Sequence, residues 1–204
     1  MSHEAYETLR TDAVLGPVVE RHGPLSLSPA EDLFERLVVS ILRQQVSMAS
    51  AAATRERLFD RVEITPAGVL AADRSTLRDA GLSRQKARYL HEAAETFRER
   101  GWDREHFAGQ SDAAVIETLT GITGVGEWTA RMQLLFALGR PDVFPVGDLG
   151  IRKGMRALHD EDLTREGMLT AAERWAPYRS YASLYLWRVE EDVAASVDEV
   201  VEGA

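Results

Sequence analysis

Leu119-Thr-Gly-Ile-Thr-Gly-Val-Gly-Glu-Trp-Thr-Ala130 is the stretch on which the reading of the whole chain turns. Apolar residues at helical spacing lie on both sides of it, so it is a turn between two helices. Its glycines at 121, 124 and 126 allow positive φ and let a partner approach the backbone closely, and the next helix is predicted to start at about Glu127. Backbone N–H groups exposed at the start of a helix attract an anion, and a nucleic-acid phosphate is the obvious candidate. A plain helix-to-helix turn with glycine caps accounts for the same residues without any ligand.

Working outward towards the C-terminus, the helix predicted over 127–138 carries Leu134, Leu135 and Leu138 on its apolar face. Then comes Asp142-Val-Phe-Pro-Val-Gly-Asp-Leu-Gly-Ile-Arg-Lys153, a loop bounded by Pro141 and Pro145 in which Asp148 takes the N-cap position of a helix over 149–158. Two more helices are predicted over 165–175 and 178–188. Towards the N-terminus, Ser111 caps the helix that enters the turn, and a long helix with Leu90, Ala94 and Phe97 starts after Gly81-Leu82-Ser83-Arg84. Ser28-Pro-Ala-Glu31 matches a capping box ahead of the stripe Leu33, Phe34, Leu37, Val38, Ile41 and Leu42. A single first helix is predicted over 2–22. Period-two alternation is almost absent, so the chain reads as all α.

Composition narrows the function. No cysteine is present, which excludes disulfides, thiolate zinc sites and cysteine catalysis. No apolar run approaches the ~18 residues of a membrane span, and the first residues lack the basic-then-apolar order of a secretory signal. A cytoplasmic protein without membrane contact is the expectation. The balance of 24 basic and 33 acidic residues is the reverse of that usual for a DNA-binding domain, but binding depends on a local patch. Lysine occurs only at 86 and 153. Acid excess with few lysines fits a salty cytoplasm, where counterions weaken the non-specific phosphate attraction.

The hairpin 119–130 and the loop 142–153, in that order, resemble the helix-hairpin-helix DNA glycosylase superfamily, and within it the DNA-3-methyladenine glycosylase II family. The resemblance covers most of residues 30 to 190. It implies two helical lobes flanking a DNA-binding cleft: a middle lobe over 29–138 ending in the hairpin, and a second lobe from 1–28 with 139–190. Residues 191–204 then form an acidic tail. Without cysteines, the iron-sulfur cluster of the endonuclease III branch is ruled out.

The implied reaction is hydrolysis of the N-glycosidic bond of an alkylated purine such as 3-methyladenine or 7-methylguanine, with hypoxanthine as a further substrate. The purine is already a good leaving group, so the main need is a carboxylate to stabilise an oxocarbenium-like sugar. Asp148 matches the family's aspartate, and the helix N-terminus favours its ionised form; as a cap alone it would contribute about 1 kcal/mol. Trp128 stands where bifunctional branches have a lysine, and a tryptophan forms no Schiff base, so the implied enzyme is monofunctional. A flipped, electron-poor base gains from aromatic faces. Trp128 and Trp187 are the candidates, with Met132 and Tyr181 lining the same pocket and Tyr178 and Tyr185 as weaker choices. Outside the family an aromatic stripe on a helix is usually core.

For DNA binding the resemblance points to Gly121, Thr123, Gly124, Val125 and Gly126, with the amides of Gly124 and Gly126 on a phosphate. The carbonyls of Thr120, Ile122 and Val125 would hold a monovalent cation, Na or K, and no other cofactor is implied. Gln44 aligns with a glutamine that fills space near the displaced nucleotide; it also reads as a solvated helix end. The wedge that enters the gap is left among Leu82, Ser83 and Arg84, which equally read as turn and cap residues. The expected partner is double-stranded DNA containing damaged bases, bound by a monomer. The same fold acting on another damaged or mismatched base, and a non-catalytic helix-hairpin-helix DNA-binding module, are the competing readings.

Overall fold

The computed structural model describes residues 2–159 and 163–189; the predicted acidic tail lies outside the described residues. Helices and turns make up the described chain, with no strand among the described residues. It divides into two compact units, Met1–Pro29 with Gly139–Ala204, and Ala30–Leu138.

The first predicted helix is in fact two, α1 (His3–Arg10) and α2 (Gly16–His22). The carboxylate of Asp12 accepts the amides of Val14 and Leu15, a local turn that competes with helical pairing, and Pro17 opens α2. Leu9, Leu15 and Val19 are fully buried. The start predicted at Ser28 is likewise displaced. α3 (Leu33–Arg43) begins after Asp32, whose carboxylate accepts the Glu35 amide at 2.7 Å. Two cap signals overlap here, and the one adjoining the apolar stripe prevails, because burial of that stripe drives the helix to form.

The rest of the Ala30–Leu138 unit follows its caps. Ser47 starts α4 (Met48–Phe59), Thr65 starts α5 (Pro66–Ala71), and α6 (Arg74–Asp79) follows Asp73. Ser83 starts α7 (Arg84–Arg100), which ends on Gly101 at φ 62°. Asp103 caps a short α8 (Arg104–Ala108). Ser111 starts α9 (Asp112–Thr120), and the hairpin leads into α10 (Glu127–Phe136). α3 sits centrally, packed on α4, α7 and α10.

One residue on the α3 core face is out of character. Arg36 is 5% exposed, its guanidinium lies 4.8 Å from the Phe136 ring centroid, and its Nε has no hydrogen-bond partner. Burial, reinforced by Arg43 and Arg55, pulls the guanidinium down to about 9. Breaking a buried charge's pairing costs several kcal/mol, whereas an apolar isostere in such a place is often stabilising. Arg36→Met is therefore expected to stabilise the fold by about 1–3 kcal/mol. A denaturant midpoint that stays put or falls would contradict this.

In the other unit the loop after Gly139 leads to α11 (Leu149–Leu158), then α12 (Arg165–Ala172), a 3-10 turn at Glu173–Trp175, and α13 (Arg179–Arg188). The α13 start is fixed to the loop. Arg179 forms a two-pronged ion pair with Asp142 at 2.7 and 2.8 Å, and the Ser180 hydroxyl donates to the Arg140 carbonyl at 2.6 Å and accepts the Val143 amide at 2.9 Å. Burial pushes the Asp142 carboxyl up, but its hydrogen bonds and charge pairing with Arg179 outweigh this and hold it below the usual range. α13 packs closely on α11 because Gly154 faces Leu186; a Cβ at Gly154 would overlap the Leu186 carbonyl oxygen.

Candidate active site and DNA-binding hairpin

In the unit that carries α11 and α13, Asp148 closes the Pro145 loop by donating its amide to the Pro145 carbonyl at 2.8 Å. Its Oδ1 accepts the Ile151 amide at 3.1 Å, which makes it the N-cap of α11. The same oxygen accepts the indole N–H of Trp187 at 2.8 Å. Two donors from different helices thus set the orientation of one carboxylate, at the helix end whose dipole favours negative charge. The contact requires Gly150. A Cβ there would lie 2.6 Å from Cδ1 of Trp187, 3.0 Å from its Nε1 and 3.1 Å from Oδ1 of Asp148. Sequence periodicity places Trp187 on α13 but does not reveal that its indole edge is engaged with Asp148.

Trp187 itself is 6% exposed. Tyr181 is half-buried on the same helix. Tyr185 is fully buried and serves the fold: its hydroxyl donates to the Gly23 carbonyl at 2.8 Å and accepts the Leu25 amide at 3.3 Å. Burial raises its phenol to about 12. That engagement removes it from the candidates for stacking on a base. Lys153 is exposed on α11.

In the Ala30–Leu138 unit the hairpin is anchored by Ile122 and Val125, each 4% exposed. The Val125 amide donates to the Ile122 carbonyl at 3.0 Å, so of the predicted phosphate contacts Val125 has its N–H already engaged. The amides of Thr123, Gly124 and Gly126 have no hydrogen bond to any described residue. Gly124 adopts φ 87°, and a Cβ there would overlap Cγ of Tyr89, so both its conformation and its neighbour demand glycine. Gly121 and Thr123 are exposed. Thr120, whose carbonyl was assigned to a cation, turns its hydroxyl back onto the Ile116 carbonyl at 2.8 Å. Trp128 and Met132 lie one turn apart on α10 and share a face; Trp128 is half-buried and Met132 is 5% exposed.

Gln44 is not a solvated helix end. Its Nε2 donates to the Gly124 carbonyl at 2.9 Å and to the Thr129 hydroxyl at 3.1 Å. Of the three wedge candidates, Leu82 is 5% exposed in the core and so is withdrawn from a duplex, Ser83 accepts the Lys86 amide as a cap, and Arg84 is exposed. The sequence reading passed over Gln45, which is exposed and holds φ 57° without being glycine. Such strain clusters at functional positions, and no periodicity signal could have found it.

Residues 38–178 match the family model of the HhH-GPD superfamily base excision DNA repair proteins, and the chain belongs to that family. Among its relatives, DNA-3-methyladenine glycosylase 1 of Schizosaccharomyces pombe is 31% identical over 85% of this chain and 79% of its own length. DNA-3-methyladenine glycosylase 2 of Escherichia coli is 32% identical over 88% of this chain, which spans 65% of that protein's length. Among solved structures, the S. pombe 3-methyladenine DNA glycosylase in complex with abasic DNA superposes with a TM-score of 0.83 at 31% identity, covering 91% of this chain and 95% of the other. Among the described residues no helix is long and apolar enough to cross a membrane.

Proposed function

We propose that the protein is a monofunctional DNA glycosylase that flips alkylated purines out of double-stranded DNA, hydrolyses their N-glycosidic bond and leaves an abasic site. The observation that carries this reading is the Asp148 carboxylate, fixed by the Ile151 amide and the Trp187 indole at the N-terminus of α11. A carboxylate so held faces a developing positive sugar without having to reorganise, which is where electrostatic catalysis gains most. It would also orient the attacking water. The relatives named for 3-methyladenine support alkylated purines as the substrate class.

Stacking on the flipped base is assigned to Trp187 and Tyr181 on α13, and Trp128 and Met132 on α10 are assigned to base contact. Trp128 in place of an amine nucleophile supports base release without strand cleavage. The Gly124 and Gly126 amides are assigned to a backbone phosphate, which positions the duplex without reading its sequence. A monovalent cation is assigned to the carbonyls of Thr120, Ile122 and Val125. The Ile122 carbonyl already accepts the Val125 amide, but a carbonyl has two lone pairs and retains one for a cation. The enzyme would act as a monomer in the cytoplasm, on the nucleoid.

The test is base release from a duplex carrying 3-methyladenine or 7-methylguanine, at low and molar salt, with nicks scored before and after alkali. Free base with nicks only after alkali is the expected result. Binding without release would leave a non-catalytic DNA-binding protein, and release from uracil or mismatched duplexes alone would move the substrate class. Trp187→Phe keeps a ring but deletes the N–H on Asp148. A hydrogen bond to a charged group is worth about 1.5–3 kcal/mol, so single-turnover release is expected to fall on the order of ten- to a hundredfold. An unchanged rate would remove the indole N–H from the mechanism.

A further inference from the structure

The side chain of Gln44 joins two parts of the molecule that are far apart in sequence. It lies where α3 ends, immediately before the exposed Gln45, and reaches across to the Gly124 carbonyl in the hairpin and the Thr129 hydroxyl in the first turn of α10. Thr129 is 2% exposed, so the anchor is rigid. The Tyr89 ring packs closely against Gly124. The end of α3 is held a second time, by Lys86 on α7, whose Nζ donates to the Leu42 carbonyl at 2.6 Å. Burial pulls this ammonium below its usual value, which is consistent with a group partly withdrawn from water and committed to a carbonyl.

The peptide between Gly124 and Val125 is therefore fixed at both ends: its carbonyl accepts from Gln44, and its N–H donates to the Ile122 carbonyl. Because a peptide is planar, fixing this one also fixes the positions of the Gly124 and Val125 Cα atoms from which the flanking Gly124 and Gly126 amides extend. We infer that Gln44 is a positioning residue that locks the phosphate-binding hairpin to the Gln45 turn, so that phosphate grip and the contact made by that turn are held at one fixed spacing. Gln44 then acts on DNA through Gly124 rather than by filling the gap itself, since its amide nitrogen is occupied by two acceptors within the chain.

The inference rests on the proposed DNA function, and the test keeps the two apart. Gln44→Met retains the length of the side chain and removes both hydrogen bonds. Affinity would be measured over a salt series for an undamaged duplex and for the same duplex with a tetrahydrofuran abasic analogue, alongside single-turnover release of 7-methylguanine at saturating enzyme. If Gln44 positions the hairpin, both duplexes weaken by the same factor, on the order of tenfold, and the slope of log affinity against log salt falls by about one phosphate. The rate at saturation stays within about twofold of wild type, because the lost interaction acts in ground and transition states alike.

A loss confined to the abasic-analogue duplex or to the rate, with undamaged binding and salt slope unchanged, would overturn the inference in favour of direct gap filling. No change in any of the three would overturn it as well. Thr129→Val keeps the shape of the anchor and removes one acceptor of the glutamine. It is expected to weaken both duplexes equally, by about two- to threefold, and it carries the test should Gln44→Met fail to fold. If the wild-type protein binds both duplexes and releases no base, the glycosylase reading falls while the salt slope still decides the role of Gln44.

Discussion

Asp148→Asn is expected to fold normally, to bind a lesion duplex with wild-type affinity, and to release base about 10²- to 10³-fold more slowly. The amide keeps an oxygen where Oδ1 now accepts from Ile151 and Trp187, and asparagine caps a helix about as well as aspartate, so neither α11 nor the Trp187 contact is lost. What disappears is the negative charge. A cationic purine leaves with its own electrons stabilised, which limits the demand on a general acid; the sugar left behind has no such help, and its charge is what the carboxylate offsets. Single-turnover release measured with enzyme in excess separates the chemical step from binding. A variant that keeps more than about a tenth of the wild-type rate would reduce Asp148 to the helix cap that its local sequence already describes.

Asp148 was legible because its signals are local: a proline-bounded loop, then a capping residue, then a helix with apolar period. The hairpin was legible for the same reason, since glycines at 121, 124 and 126 interrupt two periodic stretches. Local signals also misled. Ser28-Pro-Ala-Glu31 satisfies a capping pattern as well as Asp32 does, and only the depth at which Leu33 and Phe34 pack chooses between them. The turn at Asp12 is short and polar, so the apolar positions on its two sides read as one continuous helix across it.

What could not be read are the contacts that join distant parts of the chain. Gln44 meets Gly124 across 80 positions and Tyr185 meets Gly23 across 162. A glutamine at a helix end and a tyrosine on a helix look alike whether they face water, a ligand or a backbone carbonyl. The burial of Arg36 falls in the same class. Its place on the stripe of α3 is visible, but a long amphipathic side chain at such a place normally reaches solvent, and here it is 5% exposed.

Gly150 tests whether the Asp148–Trp187 contact is the working part of the site or a by-product of packing. Gly150→Ala inserts a Cβ 2.6 Å from Cδ1 of Trp187 and 3.1 Å from Oδ1 of Asp148, so the indole must move away from the carboxylate. Overpacking of this kind costs about 1–3 kcal/mol, while alanine in a helix regains about 1 kcal/mol over glycine; the net loss of stability is therefore small. Gly154→Ala is the control from the same helix. There the Cβ meets the Leu186 backbone carbonyl, which cannot yield without moving α13, and the loss of stability exceeds that at Gly150. Base release by Gly150→Ala is expected to fall about ten- to a hundredfold, the value of the charge-assisted hydrogen bond it displaces. The double variant with Trp187→Phe decides the cause. If Gly150→Ala acts by breaking the indole contact, the two changes remove the same interaction and their effects on the rate do not add. Full additivity, or a wild-type rate in Gly150→Ala, would mean that the carboxylate works without the tryptophan that now holds it.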